Sequence, residues 1–277
     1  MLLVSPLVAH FESGRRLCLL FEAANGRFAV EATSVTEVAP PDANGVSIRG
    51  YLELTDLSLL LGGEAETRPG TGVVLDVSPT LAVRVKSILE VADVAREPFF
   101  GLPPGLGQAL SLWVRGAILR DGRLYLELIA ESLPHKPTRP PPPPASPVYA
   151  LEYPPDRALL FESQGRLFGI PLPLVSQVVA RGEAFCTLPA PSGAVAGLFP
   201  HAKSLWPVYS APGLLGGEAR PEELLVLAEL AGQNVGLCAS RVLGVQRGFA
   251  TTSTRGEFSC AAVPGAALFL DLQHMFS

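Results

Sequence analysis

Apolar residues along this chain come in short runs separated by turn residues. LCLLFEA and RFAVEA flank Asn25-Gly26, two β-prone stretches across a turn dipeptide, which predicts a hairpin. GVVLDV and LAVRV flank Ser78-Pro79-Thr80, and a last hairpin runs through Asp121-Gly122 in LWVRGAILRDGRLYLELIAESL. SVTEV has Val35 and Val38 three apart, compatible with a helical turn or a strand. LSLLLGG predicts a short helix stopped by Gly62 or Gly63. Strand, turn, strand at this spacing argues small β-barrels.

The pattern then repeats. A shift of 140 carries Leu19, Leu20, Phe21 and Glu22 onto Leu159, Leu160, Phe161 and Glu162, and Val35 and Val38 onto Val175 and Val178. A shift of 154 carries LLGGEA at Leu60 onto the same six residues at Leu214, and Ile88, Leu89 and Val91 onto Val242, Leu243 and Val245. Near the end a shift of 144 matches Leu124–Leu128 with Leu268–Leu272, with a second-copy hairpin through Pro264-Gly265 and a short tail helix after it. One order of matched positions, with the shifts changing only in turn-like segments, predicts a duplicated domain. Residues 15–133 form the first copy and 157–277 the second, which has 14 more residues between Val178 and Leu214 than the first has between Val38 and Leu60.

Between the copies, residues 134–156 hold Pro137, Pro140 to Pro144, Pro147, Pro154 and Pro155. Prolines lack the amide donor and fix φ, so a polyproline II spacer is expected, extending about 3.1 Å per residue. The first 14 residues are apolar but lack a basic start and are interrupted by Pro6, which predicts an extra strand or a tail packed on the first copy and no signal peptide.

Composition narrows the function classes. The chain of 277 residues is 48% hydrophobic and 17% charged, so two folded domains with real cores are expected. No apolar run approaches the roughly 18 to 20 residues that span a bilayer. The net charge is −5, with 16 acidic and 11 basic residues up to Leu133 and 8 and 7 from Ala158 onwards. With no basic stripe, nucleic acid is excluded as the main partner. Cys18, Cys186, Cys238 and Cys260 have neither metal-ligand spacing nor equivalent positions, which argues against a disulfide framework and for the cytoplasm. His10, His135, His201 and His274 are scattered, and Gly101, Gly105 and Gly107 in FFGLPPGLG form a loop without the lysine of a phosphate site. No enzyme, metal or cofactor is therefore expected.

The order of elements resembles the CheW family, adaptor domains that couple chemoreceptors to the histidine kinase CheA. The first copy keeps Val35-Thr36-Glu37-Val38, Arg49-Gly50, Asp56-Leu57 and Leu61-Gly62 of the family pattern. The second keeps Leu188-Pro189-Ala190-Pro191, Gly197-Leu198, Pro207-Val208, Leu215-Gly216, Gly236-Leu237 and Leu270-Asp271-Leu272. Departures are Gln177 for Glu, Ala202-Lys203 for Arg-Gly and Ser210 for Asp in the second copy, while Lys86 and Ala239 replace the acidic residue of a V-D step. The resemblance implies an all-β fold with short helices, two tandem CheW-like domains, each of two small SH3-like five-stranded barrels. It further implies a non-catalytic scaffold that docks a receptor hairpin between barrels and a kinase regulatory domain at one end, with other motility or polarity proteins as diverged partners.

The candidate partner-binding residues are Glu37, Arg49, Gly50, Asp56, Lys86 and Trp206. Arg49 is either a guanidinium fork at an interface or a solvated turn residue. Asp56 is a helix cap or a contact, and Trp206 a core residue or a hot spot. Self-association through barrel ends and a small-ligand barrel are the competing functions.

Overall fold

A computed structural model describes residues 14–23, 26–63, 65, 70–104, 106, 108–136, 150–188, 194–230 and 233–276. The expected N-terminal strand or tail, the run Pro140 to Pro144, and Pro189-Ala190-Pro191 lie outside them. The chain divides into two compact units, Met1–Pro141 with Cys186–Ala190 and Ala202–Leu205, and Pro142–Phe185 with Pro191–His201 and Trp206–Ser277.

The first copy runs β1 (Leu17–Ala23), β2 (Gly26–Glu31), β3 (Val35–Ala39), β4 (Ser47–Ile48), β5 (Leu52–Asp56), α1 (Leu57–Leu60), β6 (Thr71–Leu75), β7 (Leu81–Val85), β8 (Ser87–Asp93), β9 (Phe99–Gly101), α2 (Gln108–Trp113), β10 (Val114–Arg120) and β11 (Arg123–Leu128). The second runs β12 (Arg157–Ser163), β13 (Arg166–Pro171), β14 (Val175–Ala180), β15 (Cys186–Thr187), β16 (Val195–His201), β17 (Ser204–Tyr209), α3 (Ala211–Leu214), β18 (Leu224–Leu230), β19 (Gln233–Ala239), β20 (Arg241–Arg247), β21 (Ala250–Thr251), β22 (Glu257–Cys260), β23 (Val263–Phe269) and α4 (Leu272–Met275).

Strand order is the same in both copies. The first copy has sheets β8-β1-β2-β11-β10-β9 and β3-β6-β7-β5-β4; the second has β20-β12-β13-β23-β22-β21 and β14-β18-β19-β17-β16-β15. The expected five strands per sheet hold for one sheet, and the other three gain a short sixth strand: β9, β21 or β15. The ambiguous segments at Val35 and Val175 resolve as strands, each entered through a 3-10 turn.

The opening hairpin is buried on both faces, which is why its sequence is nearly continuously apolar. Cys18 and Leu20 pack with Ala29, Ala92, Val94, Ile118 and Tyr125, while Leu19 and Phe21, next to them in the alternation, are also buried. Phe21 stacks on Phe28 at 5.9 Å, and Phe161 on Phe168 at 5.8 Å. In the second copy Gln164 and Gly165 both take positive φ, as a two-residue hairpin turn requires.

Four details differ from the sequence reading. Leu126 pairs with Phe28 and Leu268 with Phe168, so the shift over the last strand is 142, not 144. A slip of two residues keeps every side chain on its face, and the apolar pattern is blind to it. The second-copy hairpin turns at Ala261-Ala262, because Cys260 pairs with Val263, and Gly265 lies inside β23 at φ 92 beside a register shift. Leu112 and Trp113 belong to helix α2 and not to the strand that follows it. Lys86 N donates to Glu22 O and Ser240 N to Glu162 O, so the counterpart of Lys86 is Ser240, not Ala239.

Candidate docking surface

Glu37 and Arg49 meet. Glu37 sits on edge strand β3, and Arg49 in the turn between β4 and β5 at the other end of the same sheet. Nη2 of Arg49 lies 2.9 Å and Nε 3.1 Å from Glu37 Oε1, a fork that draws the two edges together. The first copy closes its other sheet in the same way: Arg120 on β10 donates to Glu90 on edge strand β8 and to Glu97, each at 3.0 Å. Neither latch recurs in the second copy, where Gln177 and Ala202 replace Glu37 and Arg49, and Gly244 pairs with Leu160 as Glu90 does with Leu20.

The chain from Asp42 to Tyr51 is a small preorganised knob. Asp42 accepts from Ser47 Oγ and from Gly50 N, both at 2.7 Å, and these donors hold its carboxyl below the usual carboxylate range. Asn44 Oδ1 accepts from Val46 N at 3.0 Å, and Arg84 donates to Gly45 O. Val46 and Tyr51 point outward, 56% and 72% exposed. Arg49 and Gly50 have φ of 53° and 75°, and Ala202 and Lys203 have 48° and 65°, which makes the two turns equivalent.

The remaining sequence candidates lie elsewhere. Asp56 is buried and caps α1, accepting from Ser58 N at 2.9 Å, as Ser210 caps α3 from Gly213 N at 3.3 Å. Trp206 is buried among Phe185, Val208, Leu225 and Leu227. Both are buried positions in the chain. Lys86 pairs with Glu22 at 3.1 Å beside the start of β8.

The sequence reading missed a set of exposed valines. Val91 on β8 and Val245 on β20 are 45% and 42% exposed, and Val38 on β3 and Val178 on β14 are 39% and 37% exposed. Val91 stands opposite Leu19 and Val245 opposite Leu159 in the same register. The signal was present, because the shifts already matched Val38 with Val178 and Val91 with Val245. What alternation could not say is that these apolar positions face water. In the second copy a cleft of about 400 Å³ opens between Pro155, Asp156 and Arg157 and the 3-10 residues Leu172 and Pro173, which lead into β14.

One buried charge cluster was also missed. Glu127 is fully buried on β11; its Oε1 pairs with Arg16 and, at 3.2 Å, with Arg115, while Oε2 has no partner. Burial pushes the neighbouring Cys18 thiol up to about 12, and the Cys238 thiol in the second copy to about 12 as well. Such thiols are poor nucleophiles. Among the described residues no group of His, Cys, Asp or Glu side chains could hold a metal. No helix of the described residues is long and apolar enough to cross a membrane.

Residues 157–249 match the family model of the CheW-like domain. The likeness to the CheW-like domain therefore falls within the second copy. A solved structure described as the scaffolding protein TtCheW, from Thermoanaerobacter tengcongensis, aligns at 15% identity over 45% of this chain and 97% of its own, with a TM-score of 0.35. A comparison with curated proteins returns no match. The CheW-like match stops at Phe249, before β21 to β23.

Proposed function

We propose that this chain is a non-catalytic adaptor of a bacterial chemosensory-type signalling system, bridging a receptor, a histidine kinase or another motility-related protein through two diverged CheW-like domains. The observation that carries the reading is the repeated exposure of Val91 and Val245, equivalent valines left open to water on edge strands β8 and β20. Scattered exposed apolar residues need no explanation, but the same ones kept open in both copies of a diverged duplication do. Two modest sites on one chain raise the effective concentration at the second once the first is engaged. The adaptor works in the cytoplasm, needs no cofactor, and is recruited to membrane-associated arrays through its partners.

Isothermal titration of the full chain with a soluble chemoreceptor signalling hairpin and with a CheA-type kinase regulatory domain tests this. Val91→Arg and Val245→Arg should each weaken one of the two by tenfold or more while leaving the circular dichroism unchanged. Absence of binding to both probes by the unmodified chain sinks the proposal.

A further inference from the structure

The two copies treat one edge strand differently. β3 ends its sheet but carries Glu37, which is latched to Arg49 on the far side. β14 ends the corresponding sheet and pairs only with β18 among the described residues. Its sequence, Val-Ser-Gln-Val-Val-Ala, has no charge and no proline. Ser176, Gln177, Val178 and Ala180 are exposed. Natural edge strands are normally blunted by charges, prolines or covering segments, because unpaired amides and carbonyls form a template for another strand. β14 keeps one such device, a register irregularity between Val175 and Gln177, and from Gln177 to Ala180 the pairing with β18 is regular.

We infer that β14 is a self-association edge, taking the β14 of a second copy of this chain in an antiparallel, two-fold pair. Such an interface is self-complementary: Gln177 stands opposite Val178 of the other molecule and Val178 opposite its Gln177, and no charged residue of the strand meets its like. The same pairing built on β3 is disfavoured, because the matching register sets the charged Glu37, latched to Arg49, opposite the apolar Val38 of the other molecule. Two-fold closure also consumes the exposed edge in both molecules, so the assembly stops at a dimer. The inference stands apart from the adaptor proposal, since it concerns the β14 backbone edge and not the Val91 and Val245 positions.

Sedimentation velocity of the full chain over a concentration series, paired with hydrogen exchange of the 175–180 amides, tests it. A reversible monomer–dimer equilibrium is expected, with those amides more protected at high concentration. Val178→Lys should raise the dimer dissociation constant at least tenfold and abolish the concentration-dependent protection, whereas Val38→Lys, the matching change on β3, should alter neither. A chain that stays monomeric throughout, a dimer weakened equally by Val38→Lys, or a dimer whose 175–180 amides gain no protection overturns the inference. Val245→Arg, which tests the adaptor proposal, should leave the dimer intact, so the two ideas fail separately.

Discussion

Gly169 and Phe269 face each other across the parallel pairing of β13 with β23, and a Cβ on Gly169 would lie 2.4 Å from the Phe269 ring. The equivalent pair in the first copy is Ala29 and Glu127. The aromatic ring and the missing methyl changed together: Phe269 packs edge-on to Phe249 and Phe258 at 5.1 and 5.2 Å, where the first copy instead buries a carboxylate between two arginines. Gly169→Ala should therefore overpack the second copy and cost about 1–3 kcal/mol. Ala29→Gly, the reverse change at the position opposite Glu127, adds no clash and should cost about 0.5–1 kcal/mol through backbone entropy. Urea unfolding of the two variants checks the difference.

The buried carboxylate makes an asymmetric prediction. Glu127→Ala leaves Arg16 and Arg115 with 31% and 48% exposed side chains that can turn to water, and should cost about 1.5–3 kcal/mol. Removing both arginines strands a fully buried charge, so Arg16→Ala with Arg115→Ala should cost more, about 3–5 kcal/mol. Equal losses in the two cases, read by urea unfolding, would overturn this asymmetry.

The Glu37–Arg49 latch is exposed, with 26% and 61% of the side chains open to water. A double-mutant cycle on Glu37→Gln and Arg49→Ala, the residues found at the matching second-copy positions, should give a coupling below about 1 kcal/mol. The coupling should shrink as salt is raised from low to physiological strength and beyond. A coupling unchanged by salt would mean that the pair is held by packing.

Lys203 occupies a left-handed position, φ 65°, where the first copy has Gly50. A side chain there costs about 1–2 kcal/mol, and glycine returns part of this as lost unfolded-state freedom. Lys203→Gly should raise stability by about 0.5 kcal/mol, visible as a rise in the urea midpoint at unchanged slope.

Asp42 gives the knob a pH dependence with a definite sign. Its folded pKa lies below its ordinary value because the Ser47 hydroxyl and the Gly50 amide donate to the charged form. The unfolded chain thus binds the proton more readily, so the stabilisation is complete above the usual carboxylate range and is lost as pH falls through the lowered folded value. Asp42→Ala should remove that acid-side component, and exchange of the Val46 and Gly50 amides should quicken at neutral pH.

Much of this protein was legible before any coordinates. Repeated strings pointed to a duplication, with which the matching strand orders agree, alternation and turn dipeptides marked most strands, and Gly62 and Gly216, each at positive φ, stop α1 and α3 as expected. These features are local: they depend on backbone conformations and on the face a side chain takes, both written in a few consecutive residues. The tertiary structure decided whatever depends on who sits opposite. It set the last strand two residues from the sequence match, which an alternating pattern cannot detect. It joined Glu37 to Arg49 and buried Asp56, Trp206 and Glu127, although nothing in the local sequence separates a charge that caps a helix from one that meets a partner. It also left Val91 and Val245 in water, because an apolar residue on an edge strand is covered only if the fold supplies a neighbour, and neither sheet supplies one there.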